Sequence, residues 1–248
     1  MPPVRSLGSE KLDHLLGGGI PDNRAVLVVG GPGTGKTTLG VQFLLEGVAN
    51  KENGLHILLE EHPFSLAQRF DFLHWCGEGI TYHEAVQAGY ISVLDLLSAR
   101  IGYHEKYDIP NVICPQIYRL GDLLGVIFEL VRDQNIKRIV LDSLQSFLLV
   151  AEREVVQIRE LLLAIIEPYR RVGIGLLVIS ERTNPEQAAS YQFMNHVFDG
   201  IISLNKGLPE DPSGRSLQIE KALWAPHDSN THQFQISPKL GIELIARP

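Results

Sequence analysis

The segment Gly30 to Thr37 has the residue types and spacing of a phosphate-binding loop. It reads Gly-Gly-Pro-Gly-Thr-Gly-Lys-Thr and fits the pattern G-x-x-x-x-G-K-T in full. Glycines let the backbone approach a phosphate closely, and a helix that follows the loop offers its positive N-terminus to the anion. We predict that Lys36 reaches the β- and γ-phosphates of ATP and that the Thr37 hydroxyl binds Mg²⁺. The predicted nucleotide contacts are Gly31, Pro32, Gly33, Thr34, Gly35, Lys36, Thr37 and Thr38.

Three carboxylates could complete the chemistry. Asp142 ends the apolar run Ile139–Leu141, and we predict that it holds the Mg²⁺ shell from the end of a buried strand adjacent to the strand before the loop. Its alternative role is to cap the following turn. Glu60 and Glu61 follow another apolar run. One of them could polarise the water that attacks ATP during hydrolysis, beside the catalytic Lys36. A solvated acidic pair that opens the next helix explains the spacing equally well.

Apolar runs of strand length alternate with longer amphipathic stretches, which predicts a mostly parallel α/β sheet flanked by helices. The predicted helices are Lys36–Val48, Pro63–Trp75, Leu120–Arg132 and Glu152–Arg171. The predicted parallel strands are Ala25–Val29, His56–Leu59, Tyr90–Leu94, Arg138–Leu141 and Gly175–Ile179. After residue 200 the strands Gly200–Leu204, Ser216–Leu223 and His232–Ile236 follow without helices, which predicts antiparallel additions at the C-terminal end. The sequence shows neither a repeat nor a linker, so we expect one domain over residues 1–248.

Composition excludes several classes of function. The chain carries 22 Lys and Arg against 29 Asp and Glu, a net charge of −7, which counts against a nucleic-acid binder because such proteins usually present a basic face. Cys76 and Cys114 show no zinc-ligand spacing, which is typical of a reduced, cytoplasmic protein. The N-terminal segment lacks the apolar stretch of a signal peptide, and no apolar run is long enough for a membrane span.

Beyond the phosphate loop, several segments resemble the KaiC-like branch of the RecA superfamily, and the likeness extends over nearly the whole chain. These segments are the lead-in from Ser6 to Pro21, Glu60-Glu61-His62-Pro63, Leu141-Asp142-Ser143, Ser180-Glu181-Arg182 and the closing segment from Phe234 to Ile242. The resemblance implies a RecA-like P-loop NTPase that binds ATP and Mg²⁺. It also implies that Glu60 is the catalytic base with Glu61 in support. Finally, it implies a homo-oligomer, typically a hexameric ring, that holds ATP between subunits.

In the family, a late strand with the pattern Lys-x-Arg reaches the neighbouring subunit's nucleotide. The corresponding residues here are Lys221-Ala222-Leu223, with His227 where the family often has a histidine. Lys221 and His227 are therefore expected nucleotide contacts, although a solvent-facing strand lysine is an equal alternative for Lys221. Strand alternation predicts one face shared by Leu217, Ile219, Lys221 and Leu223. Because leucine replaces arginine, we expect slow turnover unless Arg182 or Arg215 supplies the positive charge from another direction.

The leading hypothesis is an ATPase whose nucleotide state controls assembly or an unidentified protein partner. A DNA-handling ATPase is the first alternative, and it needs basic loops. The segment Arg182 to His196 corresponds to such a loop and is not basic, so nucleic-acid binding is not expected. A nucleotide-binding scaffold without turnover is the second alternative. The absence of the arginine at Leu223 favours it, whereas the presence of Glu60 and Asp142 counts against it. The residues Asn195-His196 replace the family's phosphorylated Ser/Thr pair, so clock-type autophosphorylation is not expected either.

Overall fold

The computed structural model describes residues 3–71, 79–102, 110–115, 120–146, 155–182, 194–207 and 213–245. Within these ranges the strands are β1 (Val4–Arg5), β2 (Ile20–Pro21), β3 (Ala25–Gly30), β4 (Asn53–Leu58), β5 (Ile91–Asp95), β6 (Val112–Ile113), β7 (Ile136–Asp142), β8 (Gly175–Glu181), β9 (Gly200–Lys206), β10 (Arg215–Ala222), β11 (Thr231–Ser237) and β12 (Gly241–Leu244). The helices are α1 (Glu10–Leu15), α2 (Lys36–Ala49), α3 (Pro63–Phe70), α4 (Tyr82–Gln87), α5 (Leu96–Arg100), α6 (Leu120–Asp133), α7 (Val155–Val172) and α8 (Met194–Val197).

In the described part of the chain, ten strands form one sheet in the order β12-β11-β10-β9-β3-β8-β7-β4-β5-β6, and β1 pairs with β2 separately. The strands from β9 to β6 in this order are parallel, whereas β10, β11 and β12 add to the β9 edge in antiparallel fashion. The predicted fold, a mostly parallel α/β sheet with antiparallel strands at the C-terminal end, is confirmed. The prediction that Gly200–Leu204 is one of the antiparallel strands is wrong, because β9 pairs with β3 in parallel and the antiparallel additions begin with β10. Parallel strands end at the same edge, so the residues after β3, β4, β7 and β8 lie close together.

Apolar side chains pack on both faces of the sheet. Val26 and Val28 of β3 lie in one buried cluster with Phe43 of α2. Leu27, between them, lies in the second cluster with Ile166 of α7. Helices therefore cover both faces, which is why the parallel strands are apolar throughout. None of the helices in the described ranges combines the length and apolarity that a bilayer span needs.

Four short helices, α1, α4, α5 and α8, were not predicted. The helix predicted over Pro63–Trp75 is described over Pro63–Phe70, and residues 72–75 of that prediction lie outside the described part. The helix α4 was not predicted, although its start carries a signal. Thr81 accepts a hydrogen bond from the Glu84 N–H, and the Glu84 carboxylate accepts one from the Thr81 N–H. This reciprocal pair is a capping box, which the spacing Thr-x-x-Glu could have revealed.

The lead-in from Ser6 to Pro21 is held by a partly buried carboxylate. Asp13 accepts hydrogen bonds from the Leu7 N–H at 2.8 Å and from the Ser6 hydroxyl at 2.6 Å. At the other end of the lead-in, the Trp224 indole N–H donates to the Leu16 carbonyl at 2.9 Å. The spacing of this segment therefore closes a compact turn and attaches it to the residues that follow β10.

A β-bulge in β10 changes which face Lys221 occupies. Ile219 pairs with Ile202, whereas Lys221 pairs with Ile201, so Glu220 is an extra residue in this strand. Ile202 and Ile201 belong to the clusters on opposite faces of the sheet. The prediction that Ile219 and Lys221 share one face is therefore wrong, because the extra residue shifts the alternation by one.

The β4 strand contains a histidine, His56, whose side chain is fully buried. Its Nδ1 lies 2.8 Å from the Tyr82 hydroxyl, and the two rings meet edge to face with centroids 5.7 Å apart. Burial lowers the pKa of His56 to about 3, and the positive charge of Arg69 acts in the same direction. The unfolded chain therefore binds more protons than the folded chain below the ordinary histidine pKa of about 6.5. Stability must fall as the pH falls through that value.

We expect His56 alone to lower the free energy of unfolding by about 2 kcal/mol between about pH 7.5 and about pH 5, because each pH unit below about 6.5 contributes about 1.4 kcal/mol. Urea unfolding at both pH values measures this difference. The variant His56→Leu should lose this part of the pH dependence. Tyr82→Phe is the matched control and should retain it, since the histidine stays buried. An unchanged pH dependence in His56→Leu would contradict the assignment.

Candidate nucleotide-binding site

The loop Gly30 to Thr37 connects β3 to α2 and leaves open space beside its backbone. Gly33 has a φ of +71° and Gly35 a φ of +107°, a left-handed region that favours glycine. A Cβ atom added at Gly31 or Gly33 would meet nothing within 4 Å. Thr34 supports the loop from within, since its hydroxyl donates to the Gly31 carbonyl at 2.9 Å. The loop therefore has the conformation and the free space that a bound phosphate requires.

Lys36, the first residue of α2, folds back over this loop. Its Nζ donates to the Gly31 carbonyl at 2.8 Å. Burial lowers the pKa of Lys36. The nearby carboxylates that act in the opposite direction are Glu181, Asp142 and Glu60. The ammonium group thus lies between the loop and a cluster of negative charge, where a phosphate chain could replace the carbonyl as its partner.

The two predicted metal ligands are in direct contact. The Thr37 hydroxyl donates to Asp142 Oδ2 at 2.8 Å. Burial raises the pKa of Asp142 to about 6, although the hydrogen bond from Thr37 and the charge of Lys36 act in the opposite direction. Mg²⁺ is usually held by one or two carboxylates together with phosphate oxygens and waters. The oxygen donors of Thr37 and Asp142 fit that ion.

The position of Asp142 in the sheet differs from the prediction. Asp142 ends β7, and β8 separates β7 from β3, so the two strands are not adjacent. The helix α2 packs across β7 and β4 rather than over β3 alone. Its first turn therefore carries Thr37 past the end of β8 to reach the carboxylate.

Glu60 lies beside Asp142 at the end of β4. Its carboxylate accepts hydrogen bonds from the hydroxyls of Ser143 and Ser146, the latter at 2.9 Å. Both serines follow β7, and the Asp142–Ser143 peptide bond is cis. Glu60 is solvent-exposed, so its carboxylate combines two fixed donors with access to water.

Glu61 has a different partner. Its carboxylate forms an ion pair with the guanidinium of Arg69 in the last turn of α3. The N-terminus of α3 is capped by His62, whose Nδ1 accepts from the Phe64 N–H at 3.3 Å. The two glutamates, which spacing alone did not distinguish, thus make contacts with separate parts of the site.

A cavity of about 190 Å³ lies beside the phosphate loop. Its walls are Gly33, Gly35, Lys36, Thr37 and Thr38 of the loop and α2, together with Arg69 and Ile236. Sequence reasoning missed the last two. Arg69 could have been found, because it lies two helical turns beyond His62 and so on the same side of α3. Ile236 belongs to the distant strand β11, and nothing in the local sequence indicates its place here.

Lys221 and His227 lie far from this cavity. Ala222 pairs with Gly200, which in turn pairs with Val26 near the start of β3, whereas the loop leaves β3 at its other end. The Lys221 Nζ donates to the Phe198 carbonyl at 2.7 Å. His227 is half-buried between β10 and β11. The fold does not bring Lys221 and His227 to the chain's own phosphate loop.

Leu223 and Arg182 occupy exposed positions. Leu223 follows the end of β10, and 63% of its side chain is exposed. Arg182, at the end of β8, forms an ion pair with Glu220. Most of the segment that was compared with a DNA-binding loop, residues 183–193, lies outside the described residues.

Comparisons with known proteins agree with this geometry. A family model described as "ATPase: KaiC" matches residues 6–248. A UPF0273 protein of Methanopyrus kandleri is 30% identical over 236 residues, covering 94% of this chain and 88% of that protein. A UPF0273 protein of Sulfurisphaera tokodaii is 33% identical over 225 residues, covering 88% and 72%. The crystal structure of a KaiC-like protein from Pyrococcus horikoshii superposes with a TM-score of 0.77 at 27% identity, covering 98% of this chain and 100% of that one.

Proposed function

Since the chain belongs to the KaiC family of ATPases, we propose that it binds ATP with Mg²⁺ at the loop Gly30 to Thr37 and hydrolyses it. One observation carries the proposal. The Thr37 hydroxyl, on the first turn of α2, contacts the Asp142 carboxylate at 2.8 Å, beside a loop whose lysine turns inward. We further propose that residues 1–248 act as a single ATPase domain.

The residues of the site have separate roles in this proposal. Lys36 and the N–H groups of the first turn of α2 bind the phosphates and orient the γ-phosphate. Thr37 and Asp142 would hold Mg²⁺, which would neutralise negative charge on the phosphates. Glu60 accepts a proton from the attacking water while the hydroxyls of Ser143 and Ser146 hold its carboxylate in place.

Assembly into a ring, which we propose to be hexameric, gives Lys221 and His227 a role. Because they lie at the end of the sheet opposite the loop, they could approach only the nucleotide of a neighbouring copy. The exposed side chain of Leu223 supplies no charge there, so we propose slow turnover that responds to assembly. The nucleotide state would in turn control the oligomer or a protein partner. The net charge of −7 supports no nucleic-acid partner.

The oligomeric state in different nucleotides tests this coupling. We expect light scattering after size exclusion to show a larger mass with Mg²⁺ and a slowly hydrolysed ATP analogue than with ADP, because only the first presents a γ-phosphate to the neighbour. Phosphate released from ATP should be assayed on the same fractions. Lys221→Ala should reduce the difference in mass, whereas Lys11→Ala, on α1, should not. One mass in all nucleotide states would contradict the coupling.

A further inference from the structure

Arg69 is a positively charged residue that lines the nucleotide cavity and belongs to none of the sequence motifs that predicted the site. It lies in the last turn of α3 and lines the same space as Lys36 and Thr37. Its charge reaches the metal-binding carboxylate, since it lowers the pKa of Asp142 against the effect of burial. Arg69 is therefore placed on the side of the cavity where the Mg²⁺ and the terminal phosphate would lie.

The partner of Arg69 is one that it can exchange. Its guanidinium pairs with Glu61 and lies 4.9 Å from the centre of the Phe70 ring, while 48% of its side chain is exposed. An exposed ion pair of this kind contributes little to stability. A guanidinium also binds phosphate through two parallel N–H donors, which a lysine does not offer. A phosphate that entered the cavity could therefore displace the Glu61 carboxylate at small cost.

The charge balance of the site gives this exchange a direction. Glu181, Asp142 and Glu60 contribute three carboxylates around Lys36. The γ-phosphate of ATP would add negative charge to this group, whereas ADP would not. If the Arg69 guanidinium moved from Glu61 to the γ-phosphate, its positive charge would compensate for the added negative charge. This compensation would occur with ATP and not with ADP.

We propose that Arg69 binds the γ-phosphate from within the same chain and that its ion pair with Glu61 competes with this contact, so that the Arg69–Glu61 pair sets the preference for ATP over ADP. The inference rests on the proposed function, because it assumes that the cavity takes a nucleoside triphosphate. Arg69 then acts on binding and not on the proton transfer assigned to Glu60.

Equilibrium dissociation constants for Mg²⁺–ADP and for a slowly hydrolysed ATP analogue test the proposal. Arg69→Gln should weaken binding of the analogue roughly tenfold, as expected for the loss of a hydrogen bond to a charged group. The same variant should change the affinity for ADP less than about twofold. Glu61→Gln should increase the affinity for the analogue and not the affinity for ADP, because it removes the carboxylate that competes with the γ-phosphate for Arg69. Arg132→Gln is the matched control, an exposed arginine paired with Asp133 on α6, and should alter neither affinity.

The outcomes separate this inference from the function beneath it. Equal weakening of both nucleotides in Arg69→Gln, or no change in either, overturns the role of Arg69 while leaving the phosphate loop intact. Weaker binding of the analogue to Glu61→Gln overturns the competition between the two partners. Binding of neither nucleotide by the wild-type chain would overturn the proposed function, and this inference with it.

Discussion

Replacing Glu60 by glutamine is expected to slow ATP hydrolysis about 10²–10⁴-fold, the range that a general base contributes, while ATP remains bound. The amide can still accept hydrogen bonds from Ser143 and Ser146, which now hold the carboxylate. It can also hydrogen-bond the attacking water, but it cannot take the water's proton. The loss should therefore fall on the chemical step and not on affinity.

Single-turnover measurements with excess protein would isolate that step. The matched control is Glu61→Gln, which removes the same charge one residue along the chain, from the side chain that pairs with Arg69. We expect this control to slow the chemical step much less. Should Glu61→Gln prove the more damaging of the two, the assignment of the base to Glu60 would be wrong.

Replacing Lys36 by alanine should abolish tight binding of ATP. The Lys36 ammonium is half-buried, and its present partner is the Gly31 carbonyl. In the complex it would be the point charge on the β- and γ-phosphates, and its removal would leave phosphate beside Asp142 and Glu60 without a compensating charge. We expect affinity to fall by about two orders of magnitude or more, since hydrogen bonds between charged groups are the strong ones.

Titration calorimetry with Mg²⁺–ATP measures this loss. Lys11→Ala is a suitable control, because Lys11 lies on α1 and donates to the Leu244 carbonyl rather than to the loop. Unchanged affinity in Lys36→Ala would show that the nucleotide binds elsewhere. Circular dichroism should accompany the titration, so that loss of binding is not confused with loss of fold.

The parts of this structure that were predictable are those encoded locally. The phosphate loop is one contiguous motif, and Asp142 follows an apolar run that could only be a buried strand. The strands β3, β7 and β8 were predicted because strands covered on both faces are apolar throughout. The antiparallel strands were likewise visible in the loss of intervening helices after residue 200, although the change in direction occurs after β9 and not before it.

Features that depend on long-range packing were not predictable. The position of β8 between β3 and β7 was not predicted, because strand order leaves no mark on local spacing. The residue types around Glu220 do not reveal the bulge, which places Lys221 on the opposite face of the sheet from Ile219. Similarly, Ile236 reaches the cavity from β11, and His56 contacts Tyr82, which lies 26 residues further along the chain. Each needs the tertiary structure to bring distant segments together.

The lead-in shows an intermediate case. The resemblance drew attention to its pattern, but the reason for the spacing became visible only in three dimensions. Asp13 closes the turn by accepting from Leu7 and Ser6, and Gly17, at a φ of +72°, has no room for a side chain because a Cβ atom would lie 2.5 Å from that of Ala225. The motif thus serves the packing of the sheet's far end and not the phosphates.

Multiple-turnover release of phosphate from ATP by the wild-type chain decides whether the chain is an ATPase. We expect more than one phosphate per chain in the presence of Mg²⁺, at a slow rate that rises with protein concentration as subunits assemble. Chelation of the metal and the Lys36→Ala substitution should each abolish release. Release no greater than that of Lys36→Ala at every protein concentration, from a chain that demonstrably binds ATP, would contradict the account and leave a nucleotide-binding scaffold without turnover.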